Sequence, residues 1–182
     1  MCSKYWRRSN INAKERSILR RLQVKLNNCI VPIGKVYQDF DPLNIFFYNN
    51  QLALIDPATS GENDLIYWDL ATFFVGIKKS LFKKKVYILE KDRKLISTCK
   101  KIVLNEYYKN ISQGLLEQGK VELIILFLEL KRILQLMGFQ QNQIKRNNFF
   151  SYRKLYNFIA YLLLKNEKKR TIKVLDKYLK VF

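Results

Sequence analysis

Between Ala13 and Asn27, apolar residues Ile18, Leu19, Leu22, Val24 and Leu26 recur among charged side chains. That spacing predicts an amphipathic helix ending near Asn27-Asn28. Ile30 to Val36 is β-branched in character but interrupted by Pro32 and Gly34, which predicts a short irregular strand running into a loop. Two short apolar runs follow, Ile45-Phe46-Phe47-Tyr48 and Leu52-Ala53-Leu54-Ile55. Asn49-Asn50-Gln51 between them is turn chemistry, because Asn tolerates positive φ. The pattern predicts a β-hairpin. A hairpin brings its open ends together. Asp39, Asp41 and Asn44 precede the first strand and Asp56 follows the second, so these polar residues are expected to meet.

Pro57 to Asn63 reads as a loop, and everything beyond it reads as helix. Asp64 is a candidate cap for a helix from about Ile66 to Leu81, with Trp68, Phe73 and Phe74 packing it. Further helices are expected over Glu90 to Asn110, Leu115 to Met137, Phe149 to Leu164 and Lys168 to Leu179. The third is apolar nearly all round from Leu123 to Leu128, the mark of a core helix. No internal repeat, Pro-rich linker or low-complexity tract marks a boundary. The expectation is one α+β domain over 1–182, mostly helical, with a single hairpin near its start.

Charge changes the picture. Lys and Arg number 34 against 15 Asp and Glu, a net charge of +19. Such a field attracts nucleic acid, anionic membrane or nucleotide phosphates, or it is simply a solvated Lys-rich surface. The chain has no histidine, which removes Ser-His-Asp and Cys-His catalysis and His-ligated metals. Cys2, Cys29 and Cys99 show no CxxC spacing and read as reduced thiols. Met1 to Asn10 lacks the apolar run of a secretory signal, and Val121 to Leu130 is too short to span a bilayer. A soluble cytoplasmic protein is expected. The bias toward Lys, Asn, Ile, Tyr and Phe suggests an AT-rich genome, and so an organelle interior as the alternative.

Phosphoryl transfer asks little covalent chemistry of a protein. It needs a carboxylate to take the acceptor hydroxyl's proton and oxygen ligands to hold Mg²⁺ on the nucleotide phosphates. An Asp, an Asn five residues on, and a second Asp beyond a hairpin supply that set, and Asp39, Asn44 and Asp56 fit it.

The stretch Tyr37-Gln38-Asp39-Phe40-Asp41-Pro42-Leu43-Asn44-Ile45 resembles the HGDFHPGNI-type catalytic loop of aminoglycoside phosphotransferases and choline kinases. Leu54-Ile55-Asp56 resembles their metal-binding segment, the counterpart of DFG in protein kinases. Tyr67-Trp68-Asp69-Leu70-Ala71 resembles the YDLA segment that follows. Order and intervals agree over about 35 residues. The resemblance implies a protein-kinase-like C-terminal lobe. Asp39 would be the catalytic base. Asn44 and Asp56 would hold Mg²⁺ and, through it, ATP. Asp69 would stabilise the catalytic loop through backbone hydrogen bonds. The family's His and Gly are Tyr37 and Gln38 here, which bears on loop geometry more than on chemistry.

The resemblance divides the chain into an N-terminal helix and approach strand (1–36), the catalytic and metal-binding segment (37–71) and a helical subdomain (72–182). The 36 residues before Tyr37 contain no Gly-rich loop, so the N-terminal lobe is expected to be absent. Three functions follow. One is ATP-dependent phosphoryl transfer to a small-molecule hydroxyl, with an N-lobe-bearing partner chain. The second is a non-catalytic kinase-like binding or scaffold module. The third is a basic nucleic-acid-associated protein, for which the sequence shows no recognised aromatic-basic motif.

Overall fold

The computed structural model describes residues 11–27, 29–37, 39–55, 63–84, 90–110, 117–146 and 151–181. They are mostly helical, with a small β part made of two separate two-stranded sheets. They fall into two compact units, one from Ile30 to Leu128 and one from the residues before and after it.

The Ile30–Leu128 unit carries the predicted site residues. Strand β1 (Ile33–Lys35) pairs antiparallel with β4 (Asn63–Leu65) in the register Ile33↔Leu65, Gly34↔Asp64, Lys35↔Asn63. Between them in sequence lies the hairpin of β2 (Ile45–Tyr48) and β3 (Gln51–Leu54), with Ile45 opposite Leu54 and Tyr48 opposite Gln51. Asn49 and Asn50 have φ of 47° and 58°. Two consecutive positive φ values make the tight turn whose twist matches a hairpin, and Asn accepts them more readily than other residues with a side chain. Helices α2 (Trp68–Lys84) and α3 (Glu90–Asn110) follow, then the start of α4 (Gln118–Arg146). Tyr67, Trp68, Ala71, Phe74, Val75, Leu104, Val121, Leu123, Ile125 and Leu128 are buried. The Tyr67 and Tyr107 rings meet edge to face at 6.1 Å. Burial pushes both phenols above the usual tyrosine range, Tyr107 to about 12, with Tyr67 adding to its shift.

The second unit contains α1 (Ala13–Leu26), the remainder of α4 and α5 (Tyr152–Val181). A capping box starts α1. The Asn12 side chain accepts from the Glu15 amide at 2.9 Å, and Glu15 accepts from the Asn12 amide at 3.0 Å. Ile18, Leu19 and Leu22 form the buried face of α1, and Leu164, Ile172, Leu175 and Leu179 that of α5. Glu15 also pairs with Lys168 at 2.9 Å, both side chains nearly free of solvent. Arg21 pairs with Asp176, whose carboxyl is held below the usual carboxylate range mainly by that hydrogen bond.

Several boundaries differ from expectation. Asp64 does not cap a helix. It lies in β4 opposite Gly34, and its own Oδ1 accepts from the Leu65 amide at 2.8 Å. Pairing with a strand thirty residues earlier overrides the poor strand propensity of Asn63-Asp64. The two last expected helices are one, because Glu167 and Lys168 are buried and paired, so the polar break continues the helix. Helix α4 runs past Met137 through glutamines, which are good helix formers. Residues 56–62, Asp56 among them, lie outside the described residues. Cys29 and Cys99 are free thiols. Among the described residues no helix is long and apolar enough to cross a membrane.

Candidate active site

The chain leaves β1 through buried Val36 and turns sharply twice. The Asp39 amide donates to the Tyr37 carbonyl, and the Asp41 amide to the Asp39 carbonyl, each at 2.7 Å. Bonds spanning two residues make the tightest of turns. Asp41 then caps a 3₁₀ turn, Pro42–Asn44, its Oδ1 accepting from the Leu43 amide at 3.1 Å. Pro suits this first position because its fixed φ fits and its missing N–H is not needed there.

Helix α2 holds this loop from outside. Both oxygens of Asp69 accept from the Tyr37 amide, at 3.1 and 2.8 Å. Asp69 sits in the first turn of α2, where the helix dipole favours a carboxylate. Nearly three turns on, Lys79 Nζ donates to Asp41 Oδ2 at 3.0 Å. Asp41 is only 5% exposed, so both of its oxygens are engaged in a largely dry setting. The Phe40 ring lies 5.7 Å from Phe73 of α2 and 6.3 Å from Tyr37. Gly76 lets the helix approach this closely. A Cβ there would stand 2.4 Å from Pro42 Cδ and 3.3 Å from Asp41 Cγ.

Within the loop, Asn44 ties the two ends of the motif together. Its Nδ2 donates to the Asp39 carbonyl at 3.2 Å. Its backbone amide donates to Asp41 at 2.8 Å, and its carbonyl accepts from the Ile55 amide at 2.9 Å. With the amide nitrogen committed to Asp39, Oδ1 is the group left to bind a cation, and oxygen is what Mg²⁺ takes. Ile55 is the residue before Asp56, so the open end of the hairpin is hydrogen-bonded onto Asn44. Asp39 and Asn44 are both half-buried.

The structure thus brings Asp39, Asn44 and Asp69 to one loop and its brace. It describes nothing of Asp56. Among the described residues, no three acidic or thiol side chains gather to cage a metal. Sharing a nucleotide-borne Mg²⁺ needs fewer protein ligands than such a cage. The sequence reading missed Lys79 and Gly76. Lys79 was hidden within the general basic excess of the chain. Gly76 was signalled only by being a glycine inside a helical pattern. No family model matches this chain, and no curated protein or solved structure matches it either.

Proposed function

We propose that the Ile30–Leu128 unit belongs to a protein-kinase-like C-terminal lobe of aminoglycoside-phosphotransferase type, transferring phosphate from ATP to a small-molecule hydroxyl. The observation that carries this reading is the Asn44 amide on the Asp39 carbonyl. It ties a carboxylate-bearing residue and an amide oxygen into one loop, the pairing that phosphoryl transfer uses for base and metal ligand. The brace from Asp69 to the Tyr37 amide adds support, since it holds that loop from the following helix.

In this reading the Asp39 carboxylate orients the acceptor hydroxyl and takes its proton as the oxygen attacks. Asn44 Oδ1 and the Asp56 carboxylate would hold Mg²⁺, which supplies charge neutralisation on the nucleotide phosphates when bound. Asp41 and Lys79 carry no chemistry and keep the 3₁₀ turn in place. The hairpin leaves Phe46, Phe47, Tyr48 and Leu52 exposed. A nucleotide-binding lobe would give these side chains an apolar cover and the adenine its roof.

Equilibrium titration with ATP, with and without Mg²⁺, tests the proposal. Binding is expected to require Mg²⁺, to weaken at least tenfold in Asp56→Asn, and to survive in Asp39→Asn. With a nucleotide-binding lobe supplied, transfer to a panel of small hydroxyl acceptors is expected to be lost in Asp39→Asn. ATP binding indifferent to both Mg²⁺ and Asp56→Asn would overturn it.

A further inference from the structure

In the second unit, Phe139, Gln143, Tyr152, Arg153, Tyr156 and Asn157 line an open groove of about 500 Å³ between α4 and α5. That volume is in the range of small-ligand sites. Its rings face water: Tyr152 is 82% exposed, Phe139 56% and Tyr156 42%. Tyr152 and Tyr156 are four residues apart on one helix and so share a face.

The stretch of chain that forms the groove carries charge of one sign. Between Glu129 and Glu167 the sequence has no acidic residue and seven basic ones. Arg153 lies in the groove, and Lys145 and Arg146, at the end of α4, are exposed. The local excess therefore complements a polyanion. Amides supply the third element. Gln143 and Asn157 line the groove, and Gln140 shares the Gln143 face one turn back. The Gln140 Oε1 is buried with no hydrogen-bond partner among the described residues. Exposed rings, amides and cations together suit unpaired bases on a phosphate backbone. A duplex keeps its bases stacked away from such rings. A lipid surface would offer Asn157, which lines the groove, no polar partner.

We propose that this α4–α5 groove binds single-stranded nucleic acid, with Tyr152 and Tyr156 stacking on bases and Arg153, Lys145 and Arg146 holding phosphates. None of these residues belongs to the Tyr37–Asn44 loop, so the inference does not rest on the phosphotransferase reading.

The test is fluorescence anisotropy on the whole chain, using a labelled mixed-sequence oligonucleotide of about 12 nucleotides. The probe is offered as RNA and as DNA, single-stranded and annealed. The chain is expected to prefer the single strands. Tyr152→Ala and Tyr156→Ala are each expected to weaken binding by about fivefold or more, without changing its salt dependence. Tyr152→Phe should restore the affinity. Arg153→Ala should lower the slope of log affinity against log salt by about one. Far-UV circular dichroism confirms that each variant is folded. Equal affinity for duplex would overturn the proposal, as would losses that follow charge alone. So would displacement of the oligonucleotide by phosphatidylserine vesicles that themselves need Tyr152 and Tyr156, since that result assigns the groove to a membrane surface.

Discussion

The same substitution at two helical glycines should have opposite signs. In a helix interior, Gly→Ala stabilises by about 0.5–1 kcal/mol through backbone entropy. At Gly138 of α4 a new Cβ meets nothing within 4 Å, so that gain should appear in full. At Gly76 of α2 the Cβ would lie 2.4 Å from Pro42 Cδ, well inside contact distance. Pro42 cannot rotate away, because its ring is part of a turn pinned by Asp41 to the Leu43 amide and Lys79. Overpacking of this kind costs about 1–3 kcal/mol, which offsets the propensity gain and leaves a net loss of up to about 2.5 kcal/mol. The displaced turn also carries Asn44. A shift of about 1 Å in a positioning group can cost on the order of 100-fold in rate. Urea unfolding followed by far-UV circular dichroism should therefore give a higher midpoint for Gly138→Ala and a lower one for Gly76→Ala. A Gly76→Ala variant as stabilised as Gly138→Ala would refute the close packing of α2 on the loop.

Asp69→Ala removes the acceptor of the Tyr37 amide and should cost about 1–3 kcal/mol. Hydrogen exchange should show lost protection at Tyr37, and unchanged protection would contradict the brace. Lys168→Met leaves Glu15 buried with, among the described residues, only the Asn12 amide as hydrogen-bond donor and should destabilise by about 3–5 kcal/mol, with Glu15→Leu/Lys168→Met recovering much of it in thermal melts. A harmless Lys168→Met would show the pair to be dispensable. Tyr107 titrates near 12 when folded and near 10 when unfolded. The unfolded chain thus loses its proton first, so stability present below about pH 10 is lost as pH rises toward about 12. A two-unit shift corresponds to about 2.7 kcal/mol, and solvent access at this half-buried phenol reduces the expected loss to about 1 kcal/mol. Tyr107→Phe should flatten the alkaline urea-midpoint profile by that amount, and an unchanged profile would contradict it.

The hairpin was legible because its signals are local. Asn49-Asn50 accepts two positive φ values, and the flanking runs are apolar. The helices over Ala13–Leu26 and Glu90–Asn110 were legible by period. Strand β4 was not, since Asn63-Asp64-Leu65 has little strand propensity and depends on a partner at Ile33–Lys35. The continuity of α5 was hidden for a similar reason. Lys168 is buried against Glu15, which neutralises it from far off in sequence. At the site, the spacing of Asp39 and Asn44 pointed to one loop, with Asp41 among the polar residues before the first strand. That Asp41 also binds Lys79, and that Gly76 admits α2, depends on packing between segments more than thirty residues apart. The α4–α5 groove was equally unreadable, because its rings and amides come from two helices and no single run displays them.

Paramagnetic broadening tests the metal assignment most directly. In an NMR sample of the isotope-labelled chain with excess ATP, Mn²⁺ replaces Mg²⁺ at a small fraction of sites. The backbone amides of Asn44 and Ile55 and the Asn44 side-chain amide are predicted to broaden first, and the effect should vanish in Asp56→Asn. Broadening centred away from the hairpin's open end, or persisting unchanged in Asp56→Asn, would contradict a nucleotide-bound metal held by Asn44 and Asp56.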